Sequence, residues 1–233
     1  MVPPALKVMS YNVQGHGALF TRTYLGRIAR VIADERPDLV GLQEVYRRGW
    51  RSRFEDQAEA LARLTGMDLR FGSSFATRRG EFGNAVLTSG EVLSAAVHRL
   101  PGSGEPRTLL AARVSVAGGE VDFFVTHLAA WGRIGRAARA LQAAELAAHL
   151  KRADGAFILA GDLNAPPQAP ELRNLMAAEL FRACRDLAST HRVTRQHLDY
   201  VFADAGWTPV ASRVLRAGPS DHWPIVVELR RAA

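Results

Sequence analysis

The 233-residue chain has a single cysteine, Cys184. No disulfide can therefore form within it, and any fold must rest on packing alone. One thiol suits a reducing compartment, and the cytoplasm is the expected location. Long apolar runs are also missing. None approaches the roughly 20 residues that cross a bilayer, so no membrane span is expected. The segment Met1–Lys7 lacks the charged and apolar regions of a secretory leader. Lysine is nearly absent: only Lys7 and Lys151 occur, and arginine supplies the remaining cations. No cysteine–histidine cluster with zinc spacing occurs, which excludes a structural zinc site. Low-complexity tracts, fixed-period repeats and linkers are missing too, so residues 1–233 read as one domain, expected as a monomer.

What is present is an apolar fraction of 48%, enough to fill one substantial core. The net charge is +7 and the pI about 10.4. Such a balance concentrates polyanions at the surface, although an arginine-favouring genome produces the same excess. Strands are expected at Lys7–Val13, Leu39–Val45, Leu69–Phe71, Ala85–Thr88, Val92–Leu100, Leu109–Val116 and Val121–Leu128. Others follow at Phe157–Leu163, Leu198–Phe202, Val210–Leu215 and Ile225–Leu229. Helical spacing marks Leu25–Ile32, stopped by Pro37, and Phe54–Leu64, closed by Gly66. It also marks Ile134–Leu150, with Leu141, Leu146 and Leu150 on its apolar side, and a stretch near Glu171–Leu180. Strands outnumber helices and the two do not strictly alternate. The expected class is α+β: a four-layer α/β/β/α sandwich of two mixed sheets.

Five apolar strands end in, or lead into, polar groups that a core strand would not carry. They are Asn12 in SYNV, Glu44 in LQEV, His127 in THL, Asp162 and Asn164 in GDLN, and Asp221–His222 in SDHWP. Burying one such group unpartnered costs about 1–3 kcal/mol, and an isolated charge more. A shared site at one rim, where they satisfy each other and a hard cation, accounts for all five. Mg²⁺ takes oxygen ligands, one or two carboxylates and substrate phosphate. Glu44 with Asp221 or Asp162 would supply the carboxylates, and Asn12 and Asn164 neutral oxygens or amide donors. His222 and His127 are candidates to move a proton or to stabilise the transition state, and Asp199 in HLDYVF could orient an imidazole.

In this order, SYNV, LQEV, GNAVLTS, THL, GDLNAPP, LDYVF and SDHWPI resemble the signature of the endonuclease/exonuclease/phosphatase superfamily, from Ser10 to Ile225. Each tripeptide alone is a weak signal; the ordered set is specific. The resemblance implies a DNase I-like fold and hydrolysis of phosphate esters with Mg²⁺ or Mn²⁺. Glu44 would bind the metal with Asn12 close by, and Asp221 would complete its shell. Asp162 and Asn164 would position the attacking water and the phosphate. His222 would contact the phosphate, paired with Asp199, and His127 would be a phosphate ligand or leaving-group acid. Asn84 would fall near the scissile group. Asp162 is the expected base, with the Asp–His pair as the alternative. Two departures stand out. The abasic-site endonucleases carry an acidic residue where this chain has Gln14, and a tyrosine where it has His127. THL followed by a helix with Arg139 and Gln142 looks more like the phosphatase, sphingomyelinase and tyrosyl-DNA phosphodiesterase branches.

Arg47, Arg48, Arg51 and Arg53 follow the Glu44 strand, and Arg78–Arg79 precede Gly83–Asn84. They read either as phosphate contacts, with Trp50 and Phe82 stacking on bases, or as solvated loops. Arg133, Arg136 and Arg139 share a stretch with Trp131, which is a substrate-side aromatic or a lid over the core. His16, His98, His149, His191 and His197 are expected at the surface. The partner expected is nucleic acid, DNA above all. The alternatives are a small phosphate ester or phospholipid headgroup and, in another class, an inactive nucleic-acid-binding module.

Overall fold

The computed structural model describes residues 5–19, 21–130, 132–153, 155–176, 181–182 and 188–232. The first half of the chain runs β1 (Leu6–Asn12), α1 (Tyr24–Glu35), β2 (Leu39–Arg47), α2 (Gln57–Thr65), β3 (Asp68–Thr77), β4 (Gly80–Thr88), β5 (Glu91–Leu100) and β6 (Arg107–Val116). The second runs β7 (Gly119–His127), α3 (Gly132–Leu150), β8 (Phe157–Asp162), α4 (Arg173–Met176), β9 (Phe181–Arg182), β10 (Asp199–Ala203), β11 (Trp207–Val214) and β12 (Ile225–Arg231). These strands form two six-stranded sheets, ordered β11-β12-β1-β2-β4-β3 and β5-β6-β7-β8-β10-β9. Each sheet holds one parallel pair, β1–β2 or β7–β8, and is otherwise antiparallel. No helix among the described residues is long and apolar enough to cross a membrane.

Both faces of the central strands are buried, and the period-2 alternation divides their side chains between two cores. Val8, Leu39, Val125, Ala160, Ile225 and Val227 point between the sheets. Met9, Tyr11, Val40, Leu42 and Val226 point outward beneath α1 and α2. Leu109, Leu159, Tyr200 and Phe202 meet Leu146 and Leu150 of α3 on the far side. The result is the four-layer α/β/β/α sandwich expected. The sheets approach closely at Gly41, where an added Cβ would stand 2.9 Å from Ala160 Cβ and 3.0 Å from Val125 Cγ2. Gly41→Val is therefore expected to destabilise the fold by roughly 2–3 kcal/mol through overpacking. Urea denaturation should show a lower midpoint at unchanged slope.

Several elements differ from the sequence expectation, each for a local reason. The second helix begins at Gln57, because Asp56 caps it by accepting from the Glu59 N–H. Phe54 stands outside the helix, 75% exposed at positive φ. Leu69–Phe71 belongs to the longer β3, which forms a hairpin with β4 across Arg78–Arg79. Leu141 projects into solvent, 56% exposed, while Ala138, Gln142 and Ala143 face inward. Of the helix expected near Glu171–Leu180, the described part is a 3₁₀ turn at Pro170–Leu172 followed by α4. Residues 177–180, Cys184 and Trp131 lie outside the described residues.

Topology alone gathers the polar strand ends. The parallel pairs β1–β2 and β7–β8 place Asn12, His127 and Asp162 at C-terminal ends, and Glu44 directly after the Gln43 that pairs with Asn12. Antiparallel β10 starts opposite β8, with Asp199 paired to Asp162, and β12 starts opposite the end of β1, with Ile225 paired to Ser10.

Candidate active site

Asn12 is fully buried at the end of β1, and its Nδ2 donates to Asp162 Oδ2 at 3.0 Å and to Glu44 Oε1 at 3.2 Å. Its Oδ1 accepts from the Gln14 N–H at 3.0 Å. Glu44 reaches this position through an irregularity in β2, whose register against β4 shifts between Leu42 and Val45. Its φ of 59° is one that a side chain with a Cβ adopts at a cost of roughly 1–3 kcal/mol. Gln14 at φ 43° and Asn164 at φ 51° share the same left-handed region. Three strained residues around one rim mark the place where the fold gives up backbone energy to aim side chains.

Asp162 is the most heavily coordinated group. Its Oδ1 accepts from the Asn164 N–H at 2.8 Å, and its Oδ2 lies 3.6 Å from His127 Nε2 and 3.7 Å from His222 Nε2. Burial, reinforced by the Asp199 carboxylate, pushes the Asp162 carboxyl up to about 7. Burial works against the His222 imidazolium, but Asp199 and Asp162 outweigh it and raise the ring to about 10. Asp199 holds His222 Nδ1 at 2.8 Å from its Oδ2. His127 differs: burial, with Arg107 and His222 nearby, drives its ring well below the ordinary range. The Asn164 amide nitrogen lies 2.9 Å from His127 Nε2 and donates to the Leu128 carbonyl at 3.0 Å, while the buried His127 Nδ1 has no hydrogen-bond partner among the described residues. One charged and one neutral imidazole thus flank a single carboxylate.

The loop after His127 is fixed from α3. Gln142 Oε1 accepts from the Ala129 N–H at 2.8 Å. Arg139 Nη1 donates to the Ala129 and Ala130 carbonyls at 2.9 and 3.1 Å, and its Nη2 pairs with Glu171 at 2.7 Å. Both partners of the pair are buried. Arg139→Ala strands a buried carboxylate and two carbonyls. The expected cost is about 3–5 kcal/mol, read as a lower midpoint in denaturant.

Asp221 accepts from Gln14 Nε2 at 2.7 Å. The sequence noted Gln14 as a departure; here it spans the rim to the far motif. His191, expected at the surface, stands ring to ring with His222 at 4.7 Å, its Nε2 3.8 Å from Asp221 Oδ2. The Thr194 N–H donates to its Nδ1, which leaves the proton on Nε2 toward the rim. His197, also expected at the surface, is buried against Tyr200. His16 Nδ1 lies 4.0 Å from Glu44 Oε2. Arg107 is buried with Nε and Nη1 unpartnered, while its Nη2 meets Glu105 at 2.9 Å. No motif signalled Arg107 or His191. Both are brought in by pairing across long stretches of chain.

The remaining expected residues are placed as follows. Asn84 is buried and ties the two sheets, its Nδ2 donating to the Thr108 carbonyl at 3.2 Å. Arg78 is exposed in the β3–β4 turn. Arg47 is held by Asp56 at 2.6 Å and lies over Phe71. A groove of about 480 Å³ lined by Arg133, Arg136 and Gln196 opens beside Asn164. Among the described residues, two groups of three metal-type donors lie within 4.8 Å: Asp162–Asp199–His222 and His191–Asp221–His222. The Glu44 carboxyl is pushed up by burial and further by the Asp221 charge. Two half-buried carboxylates repelling each other at the rim are a donor set that a divalent cation would relieve.

A family model described as the endonuclease/exonuclease/phosphatase family matches residues 9–222. No curated protein matches the sequence. Solved structures share the fold, three of them as follows. An endonuclease/exonuclease/phosphatase from Beutenbergia cavernae superposes with a TM-score of 0.81 at 24% identity, over 99% of this chain and 72% of that one. The human Nocturnin catalytic domain with bound sulfate anion gives 0.80 at 21%, over 98% and 94%. A mannosyl-6-phosphatase from Bacteroides thetaiotaomicron gives 0.78 at 20%, over 96% and 99%.

Proposed function

Because the chain belongs to the endonuclease/exonuclease/phosphatase family, a family of phosphoric ester hydrolases, we propose that it is a Mg²⁺- or Mn²⁺-dependent phosphodiesterase acting on DNA. The observation that carries this reading is the convergence of Asn12, His127, Asn164 and His222 on the Asp162 carboxylate. Glu44 and Asp221 would hold the cation, with Asn12 beside them; when bound, it neutralises charge on the phosphoryl oxygens. Asp162 takes the proton from the attacking water, its carboxylate aimed by the Asn12 amide and the Asn164 N–H. The His222 imidazolium, held by Asp199, donates from Nε2 to a phosphoryl oxygen as charge builds there. Asn164 and His127 orient the phosphate on the opposite side, and Arg107 adds a buried positive charge.

DNA is favoured over a small ester by the arginine-lined groove beside Asn164 and by the net charge of +7. The same reading places the protein in the cytoplasm as a monomer, and no helix among the described residues is long and apolar enough to cross a membrane. The test sets supercoiled plasmid beside sphingomyelin vesicles and inositol phosphates, each with Mg²⁺, Mn²⁺ or EDTA. Plasmid nicking in both metals is expected, with a loss of at least about a thousandfold in EDTA. Release from inositol phosphates or sphingomyelin without nicking would overturn the substrate, and nicking that persists in EDTA would overturn the cation.

A further inference from the structure

Beyond Glu44, β2 carries Tyr46, and the 3₁₀ turn that follows carries Trp50 and Arg51. With Phe75 and Phe82 they line a cavity of about 240 Å³. Tyr46 and Phe82 lie 4.8 Å apart between ring centroids, and Phe75 stacks on Phe82 at 5.3 Å. Those three rings are half-buried or buried, but Trp50 is 47% exposed. The Arg51 guanidinium lies 5.4 Å from the Trp50 ring and 5.7 Å from that of Tyr46, and donates to the Tyr46 hydroxyl at 3.0 Å. A half-exposed indole beside packed aromatic rings leaves a flat apolar face in water, an arrangement that marks binding surfaces.

Two chain segments link the cavity to the rim. Tyr46 is two residues beyond Glu44 on β2. On the other side Glu105 lines the cavity and holds Arg107, whose charge reaches His127. The charges around the cavity cancel, Arg51 and Arg79 against Glu81 and Glu105. A balanced, ring-lined wall suits the uncharged part of a ligand, and the phosphate belongs at the neighbouring rim.

We propose that the cavity between Tyr46, Trp50, Phe75 and Phe82 is a subsite for one planar aromatic ring, carried by the substrate next to its reacting phosphate. The inference rests on the reading of the rim as a phosphate-ester site. A nucleobase and the aryl group of an aryl phosphate share this chemistry, and stacking serves either, because every such ring has a π face.

Calorimetric titration with thymidine 5′-monophosphate, phenyl phosphate, deoxyribose 5-phosphate and inorganic phosphate tests it on the intact protein. The ring-bearing phosphates should bind about tenfold more tightly than deoxyribose 5-phosphate. In Trp50→Ala that ratio should fall below about threefold, and Trp50→Phe should restore it. Thymidine 5′-monophosphate ahead of phenyl phosphate identifies the ring as a base; parity identifies an aryl ester. Equal binding of ring-bearing and ring-free phosphates, or a ratio that survives Trp50→Ala, overturns the subsite. Failure of the phosphate-site reading looks different: none of the four phosphates binds, and the subsite falls with it.

Discussion

Asp162→Asn is expected to lower turnover by about 10³–10⁴-fold with little loss of stability. The carboxylate accepts from the Asn12 amide and the Asn164 N–H and faces both imidazoles, so every neighbour is arranged around an acceptor. The amide has nearly the same shape. One of its oxygen positions becomes an NH₂, however, which cannot take a proton and confronts the Asn12 donor. Stability changes little, because a buried carboxyl held up at about 7 is itself a burden on the folded state. Loss of about 4–5.5 kcal/mol of transition-state stabilisation should appear in kcat. Steady-state nicking assays and thermal melts on the same samples check both halves. Activity within tenfold of the parent would remove Asp162 as the base.

His222→Ala should cost a similar factor, about 10³-fold, and Asp199→Asn less, because the ring stays in place. The two effects should not add. Once His222 is gone, Asp199 has no ring to hold, so the double variant should match His222→Ala within about threefold. Asp199→Asn carries a second signature. The carboxylates raise the imidazolium to about 10, so removing one lowers that value. The sign is fixed: the protonated form survives to a lower pH only, and the alkaline limb of the kcat profile moves to lower pH. An additive double variant would show that the pair does not act as a unit.

Much of this arrangement was legible in the sequence. Strand ends such as those of SYNV and GDLN stood out because a buried strand has no reason to end in a carboxylate or amide. The sandwich followed from strands outnumbering helices, and α3 from its spacing. Other features depended on long-range pairing. His191 reaches the rim because its backbone bridges His222, and Arg107 because β6 lies beside β7. No periodicity encodes either neighbour. The strand irregularity that aims Glu44 is likewise invisible in LQEV, since it arises from how β2 and β4 mismatch. Leu141 shows the opposite failure: a leucine at roughly the right spacing is left in solvent because Ala143 and Gln142 fill the inner side.

β12 lies between β11 and β1, so a strand near the end of the chain completes the sheet that its beginning started. Asp221 and His222 immediately precede that strand and take their positions from it. A chain that holds Asn12, Glu44 and Asp162 but has not yet docked β12 therefore lacks the frame for one imidazolium and one carboxylate, and its rim stays unassembled.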